Sequence, residues 1–78
     1  MIDTKKFEEL CGKRTELSAE VKVNQQLAEF IESNRQRCLA ERNFYDLAVW
    51  RNYLKEVEAK LAAANEERSK VQSEIDQM

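Results

Sequence analysis

The side chains with most scope for chemistry gather near the middle of the chain. Arg35, Arg37, Arg42 and Arg51 offer guanidinium groups there, with the phenol rings of Tyr45 and Tyr53 among them. Guanidinium and aromatic groups together hold phosphates and stack on bases, so this set is a candidate for nucleic acid or for a small anionic ligand such as a nucleotide held between protomers. Glu32, Glu41 and Asp46 lie among the same residues and dilute the positive field. The stretch from Phe44 to Tyr53 holds Phe44, Tyr45, Trp50 and Tyr53, out of three Phe, two Tyr and one Trp in the whole chain. Aromatic residues and Arg are also what protein interfaces favour.

Catalysis has little to work with. The chain has no His, so the commonest acid-base group at neutral pH and the commonest metal ligand are both missing. No Gly-rich loop, no Cys-x-x-Cys and no Ser or Cys beside a recognisable base occurs. The pairs Glu8/Glu9 and Glu66/Glu67 are adjacent in sequence and point about 100° apart on a helix, which suits a solvated surface and not a paired-carboxylate site. No catalytic, cofactor-binding or metal-binding residue is therefore expected, and the chain reads as a non-enzyme. Cys11 and Cys38 would stand roughly 40 Å apart on one straight helix, too far for a disulfide within the chain. Two reduced, partly buried thiols are expected, with a disulfide between chains as the alternative.

The elements that position these groups are helices. The 78 residues include no Pro and a single Gly, with 36% charged and 42% hydrophobic residues, which is the composition of long helices. A net charge of −2 provides no field towards nucleic acid or anionic membranes. No apolar run is long enough to span a bilayer, and the stretch Met1 to Glu9 lacks the apolar core of a signal peptide, so a cytoplasmic location without membrane association is expected.

From Leu47 onward, residues recur at alternating spacings of three and four: Trp50, Leu54, Val57, Leu61, Ala64, Arg68, Val71, Ile75 and Met78. That alternation is the seam of a helix packed lengthwise on another helix. A second, more polar seam runs through Phe7, Leu10, Arg14, Leu17, Val21, Asn24, Ala28, Ile31, Arg35 and Cys38. The step from Cys38 to Leu47 fits neither a heptad nor an ordinary stutter, so the phase breaks there.

Two seams of equal length about a central break predict an all-α fold, an antiparallel, coiled-coil-like helical hairpin that self-associates. A single domain over 1–78 is expected, with helix one at about 4–41, a turn at about 41–44 and helix two at about 44–76. In this register Cys38 lies beside Leu47, Ile31 beside Leu54, Val21 beside Ala64 and Phe7 beside Met78. Arg35 falls beside Trp50, suggesting a cation-π contact, and Asn24 beside Leu61. Such a hairpin is roughly 55 to 60 Å long, against about 115 Å for an uninterrupted rod.

Local signals refine this picture. Asp3 or Thr4 suits the first N-cap, Gly12 is tolerated or mildly kinks helix one, and Asn43 either turns left-handed or caps helix two towards Asp46. The spacings Lys5 to Glu9, Glu9 to Lys13, Glu56 to Lys60 and Glu66 to Lys70 suit surface ion pairs, and Lys70 to Met78 is expected to fray. Seam arginines ordinarily cover apolar surface with their stems and keep their charge in water, although they also suit an acidic partner.

Two further apolar stripes lie outside the seam: Val23, Leu27 and Phe30 on helix one, and Tyr45, Val49 and Tyr53 on helix two. A two-helix hairpin cannot bury both stripes. They are expected to face another protein or a second copy of the chain, with Tyr45, Val49, Tyr53, Arg42, Arg51, Leu27 and Phe30 as the partner-binding residues. The function read from the sequence is a protein-protein interaction module, a small adaptor, chaperone-like subunit or inhibitor that covers a partner surface. The alternatives are a binder of nucleic acid or an anionic ligand through the Arg/Tyr set, and a purely structural coiled-coil oligomer.

Overall fold

The computed structural model describes residues 3–78. Helix α1 spans Thr4–Ala40 and helix α2 spans Phe44–Asp76, and the two pack against each other as a hairpin. The molecule measures 62 × 14 × 13 Å. That length excludes an uninterrupted helical rod of roughly 115 Å.

Helix α1 starts at Asp3, the N-cap, whose Oδ1 accepts the Lys6 N–H at 3.2 Å. This satisfies one of the amides that a helix leaves open at its first turn. Gly12 lies within the unbroken helix, and a Cβ added to it would meet nothing within 4 Å.

The connection between the helices is short, and the N–H groups of Glu41, Arg42 and Asn43 are all hydrogen-bonded. Glu41 is the C-cap of α1, and Arg42 takes the left-handed conformation with φ 57°. The Asn43 N–H donates to the Cys38 carbonyl at 2.9 Å and the Arg42 N–H to the Leu39 carbonyl at 3.2 Å, the bond pair of a Schellman ending. Asn43 then serves α2 as N-cap: its Oδ1 accepts the Asp46 N–H at 3.2 Å, and its Nδ2 donates to Asp46 Oδ2 at 2.7 Å. Of the two roles open to Asn43 it takes the cap, and the left-handed residue is Arg42.

The core is a single row of side chains along the seam. Val21, Ile31 and Cys38 of α1 and Leu47, Val57, Ala64 and Val71 of α2 are buried, Ile31 most completely at 1% exposure. Leu10, Leu17, Trp50, Leu54, Leu61 and Ile75 lie on the same line but are only half-buried. Each helix has one neighbour, so no second layer covers their outer edges. Cys38 is a buried free thiol, and Cys11 a partly buried one.

The expected fraying from Lys70 is corrected by the structure. Helix α2 runs to Asp76, Val71 is buried, and Gln72 bonds both Arg14 Nη1 at 2.9 Å and Asp76 Oδ1 at 2.9 Å. Packing against α1 and a bond across the hairpin hold this end, where helix propensity alone leaves it weak.

Polar seam residues find partners inside the hairpin. Buried Asn24 donates through Nδ2 to the Glu20 carbonyl at 3.0 Å, and Arg68 donates to Asn65 Oδ1 at 3.0 Å. Arg35 reaches Glu32 at 3.5 Å, with its Nε buried and unpartnered. The anticipated Arg35–Trp50 contact does not form; among the described residues Trp50 instead meets the rings of Phe30 and Tyr53. Glu66 and Lys70 pair at 3.6 Å, whereas Lys13 turns away from Glu9 and crosses to Glu67 at 3.1 Å.

Candidate interaction surface

The two apolar stripes, Tyr45 apart, belong to one face, because of how helices turn. Val23, Leu27 and Phe30 each precede a seam residue of α1, and Val49 and Tyr53 each precede one of α2. Stepping back one residue rotates a side chain by about 100° about its helix axis. Helix α2 runs in the opposite direction and its seam faces the opposite way, so the two rotations end on the same flank. Lys13 and Glu67 also precede seam residues, Arg14 and Arg68, and their ion pair at 3.1 Å bridges the helices along this flank.

Trp50 joins the stripes. Its ring meets Phe30 edge-on, with centroids 6.0 Å apart and planes at 80°, and meets Tyr53 at 6.1 Å and 42°. Edge contacts of this kind suit the ring quadrupoles. The cluster stays open to water on its outer side: Phe30 is 59%, Tyr53 54%, Val23 61% and Leu27 and Val49 each 42% exposed. Val49 and Tyr53, with Asn52 and Glu56, also border a shallow depression of about 230 Å³. At the edge of the face Asn34 is buried, donating through Nδ2 to the Phe30 carbonyl at 2.9 Å while its Oδ1 accepts from Arg37.

The other proposed partner-binding residues lie elsewhere. Tyr45 sits in the first turn of α2, 81% exposed, and takes part in no ring pair with Tyr53 or Trp50. Arg42 is in the turn, where its backbone conformation closes α1. Arg51 is exposed but lies two residues before Tyr53, about 200° round the helix, on the other flank of the seam. That flank is mostly polar, with Gln25, Glu32, Arg51, Glu58 and Asn65.

The Arg/Tyr set is correspondingly dispersed. Arg35 is turned to Glu32 and Arg37 to Asn34, Arg42 is in the turn, and Arg51 is across the seam from Tyr53. Trp50 and Asn34 are the contributors that reading the sequence did not assign to the surface. The signal for Trp50 was present, since Val49 and Tyr53 run one residue ahead of the α2 seam that contains it.

Among the described residues no group of three or more His, Cys, Asp or Glu side chains is placed to hold a metal ion, and no helix is long and apolar enough to cross a membrane. In comparisons with protein-family models, characterised proteins and solved structures, nothing matches the chain.

Proposed function

We propose that this chain is a protein-protein interaction module with no chemistry of its own, a small adaptor, chaperone-like subunit or inhibitor that acts by covering a partner surface. The observation that carries this reading is the aromatic cluster on one flank, in which Trp50 ties exposed Phe30 to exposed Tyr53. A large apolar patch on one side of a small protein is a mark of an interaction site. Aromatic anchors held by a rigid scaffold supply the affinity, and the surrounding polar residues exclude water. Dispersal of the arginines weighs against a phosphate-binding cradle, which needs them to converge.

Site-specific photocrosslinking tests the reading. With a photoreactive side chain at Val49, protein adducts are expected at low and at high salt alike; the same group at Glu29, on the polar side of α1, is expected to give none. Equal labelling from both positions defeats the proposal. Adducts to nucleic acid that vanish at high salt favour the binder of anions instead.

A further inference from the structure

We infer that the half of the hairpin away from the turn carries a binding site for a single phosphate group, formed by Arg14 and Ser18 of α1 with Arg68 and Ser69 of α2. The inference stands apart from the interaction reading above, since it uses neither apolar stripe.

The arginines near the turn diverge, but these two come together. In the seam register Arg14 lies beside Val71 and Arg68 beside Leu17, so the pair stand on facing helices about 4.5 Å apart along the axis. Ser18, Ser69 and Gln72 each follow a seam residue by one position, which turns them about 100° towards the polar flank, opposite the aromatic cluster. With the two arginines they line a depression of about 360 Å³.

Charge is unbalanced there. Both arginines are half-buried, and among the described residues neither pairs with a carboxylate. The carboxylates adjoining Arg68 along the chain are engaged elsewhere, Glu67 with Lys13 on the other flank at 3.1 Å and Glu66 with Lys70 at 3.6 Å. Each guanidinium donates instead to a side-chain amide, Arg14 Nη1 to Gln72 Oε1 at 2.9 Å and Arg68 Nη2 to Asn65 Oδ1 at 3.0 Å. A guanidinium has five N–H donors, so one such bond steers it and leaves donors for a ligand. Gln72 is braced in turn, its Nε2 donating to Asp76 Oδ1 at 2.9 Å.

This donor set fits a tetrahedral dianion. Two guanidiniums on separate helices approach one ligand from different sides and match the double negative charge of phosphate, whereas a planar, singly charged carboxylate is filled by one fork. The hydroxyls of Ser18 and Ser69 are donors for the remaining oxygens. Nucleic acid is a poor match, because its backbone needs a track of cations and this chain has a net charge of −2 with its other arginines divided between the turn and the upper seam.

The test titrates inorganic phosphate into the isotope-labelled full chain at constant ionic strength and follows its amide and guanidinium resonances. Saturable shifts are expected at Arg14, Ser18, Arg68 and Ser69, with Phe30 and Tyr53 unmoved. Arg14→Gln and Arg68→Gln are each expected to weaken binding about tenfold or more. Arg14→Lys with Arg68→Lys, which keeps the charge and loses the forks, and Ser18→Ala with Ser69→Ala, which keeps both forks, are expected to weaken it less. Lys55→Gln removes the same charge from the polar flank nearer the turn and is expected to leave the affinity unchanged. Phenyl phosphate identifies the source of the group: tighter binding than inorganic phosphate means a phosphate monoester, equal binding means free phosphate, and both uphold the site.

An absence of saturable shifts, shifts reproduced by chloride at the same ionic strength, or an affinity lowered as much by Lys55→Gln as by the arginine variants overturns the proposal. Affinity unchanged in both the Lys pair and the Ala pair overturns it as well, and those variants decide the matter if either Gln variant loses its helix by circular dichroism. Acetate bound as tightly as phosphate also overturns it, in favour of a carboxylate.

Discussion

Phe30 of α1 and Trp50 of α2 meet edge to face across the hairpin at 6.0 Å, although 59% of Phe30 remains in contact with water. The pair belongs both to the packing between the helices and to the exposed face. A double-mutant cycle between Phe30→Leu and Trp50→Leu, read by urea unfolding at one protein concentration, is expected to give a coupling of about 0.5 to 1.5 kcal/mol. Additive effects of the two substitutions would show that the rings are adjacent without supporting each other.

Burial ranks the seam positions. Ile31, at 1% exposure, is enclosed, whereas Leu54 on the facing helix is only half-buried. Ile31→Ala is therefore expected to cost about 2 to 4 kcal/mol and to unfold much of so small a domain, and Leu54→Ala to cost less. Thermal melts followed by circular dichroism give the order; Leu54→Ala proving the more damaging would contradict the single-row core.

Gly12 occupies a helical position where an added Cβ has open space. Gly12→Ala removes backbone freedom from the unfolded chain and is expected to stabilise by about 0.5 to 1 kcal/mol. A lower melting temperature for this variant would mean that α1 needs a bend there which the continuous helix does not show.

The turn supplies a pair of opposite effects. Arg42 holds φ 57°, a conformation strained for a residue with a Cβ, so Arg42→Gly is expected to stabilise by about 0.5 kcal/mol once the added freedom of Gly is deducted. Asn43 caps α2 through Asp46, so Asn43→Ala is expected to cost about 1 kcal/mol. Urea midpoints moving in the same direction for both variants would contradict this division of roles.

The ion pair of Lys13 and Glu67 is solvent-exposed, with side chains 54% and 45% accessible. Screening and side-chain entropy leave such a pair with little weight. Lys13→Ala is expected to change stability by less than about 0.5 kcal/mol, and the wild-type melting temperature to move little between low and high salt. A steep fall with salt would reveal a larger electrostatic contribution than this geometry supports.

The primary structure by itself determined the all-α class, the two seams and the folded-back chain. Each rests on periodicity and on the phase break between Cys38 and Leu47, which are properties of order along the chain. It also narrowed the first cap to Asp3 or Thr4 and gave Asn43 a cap or a left-handed turn, because capping is decided within three or four residues; the structure takes Asp3 and makes Asn43 the cap. Tertiary structure alone decided which groups meet across the hairpin. Trp50 chose Phe30 and Tyr53 over Arg35, Lys13 chose Glu67 over Glu9, and packing around Val71 kept the last turns of α2 helical. Spacing says which residues share a helix face, whereas the antiparallel direction of α2 brings Leu27 and Phe30 onto one flank with Val49 and Tyr53 and sends Arg51 to the other. The physical reason is that a residue's side of the hairpin depends on the direction of its helix as well as on its phase, and that direction enters only when two helices pack.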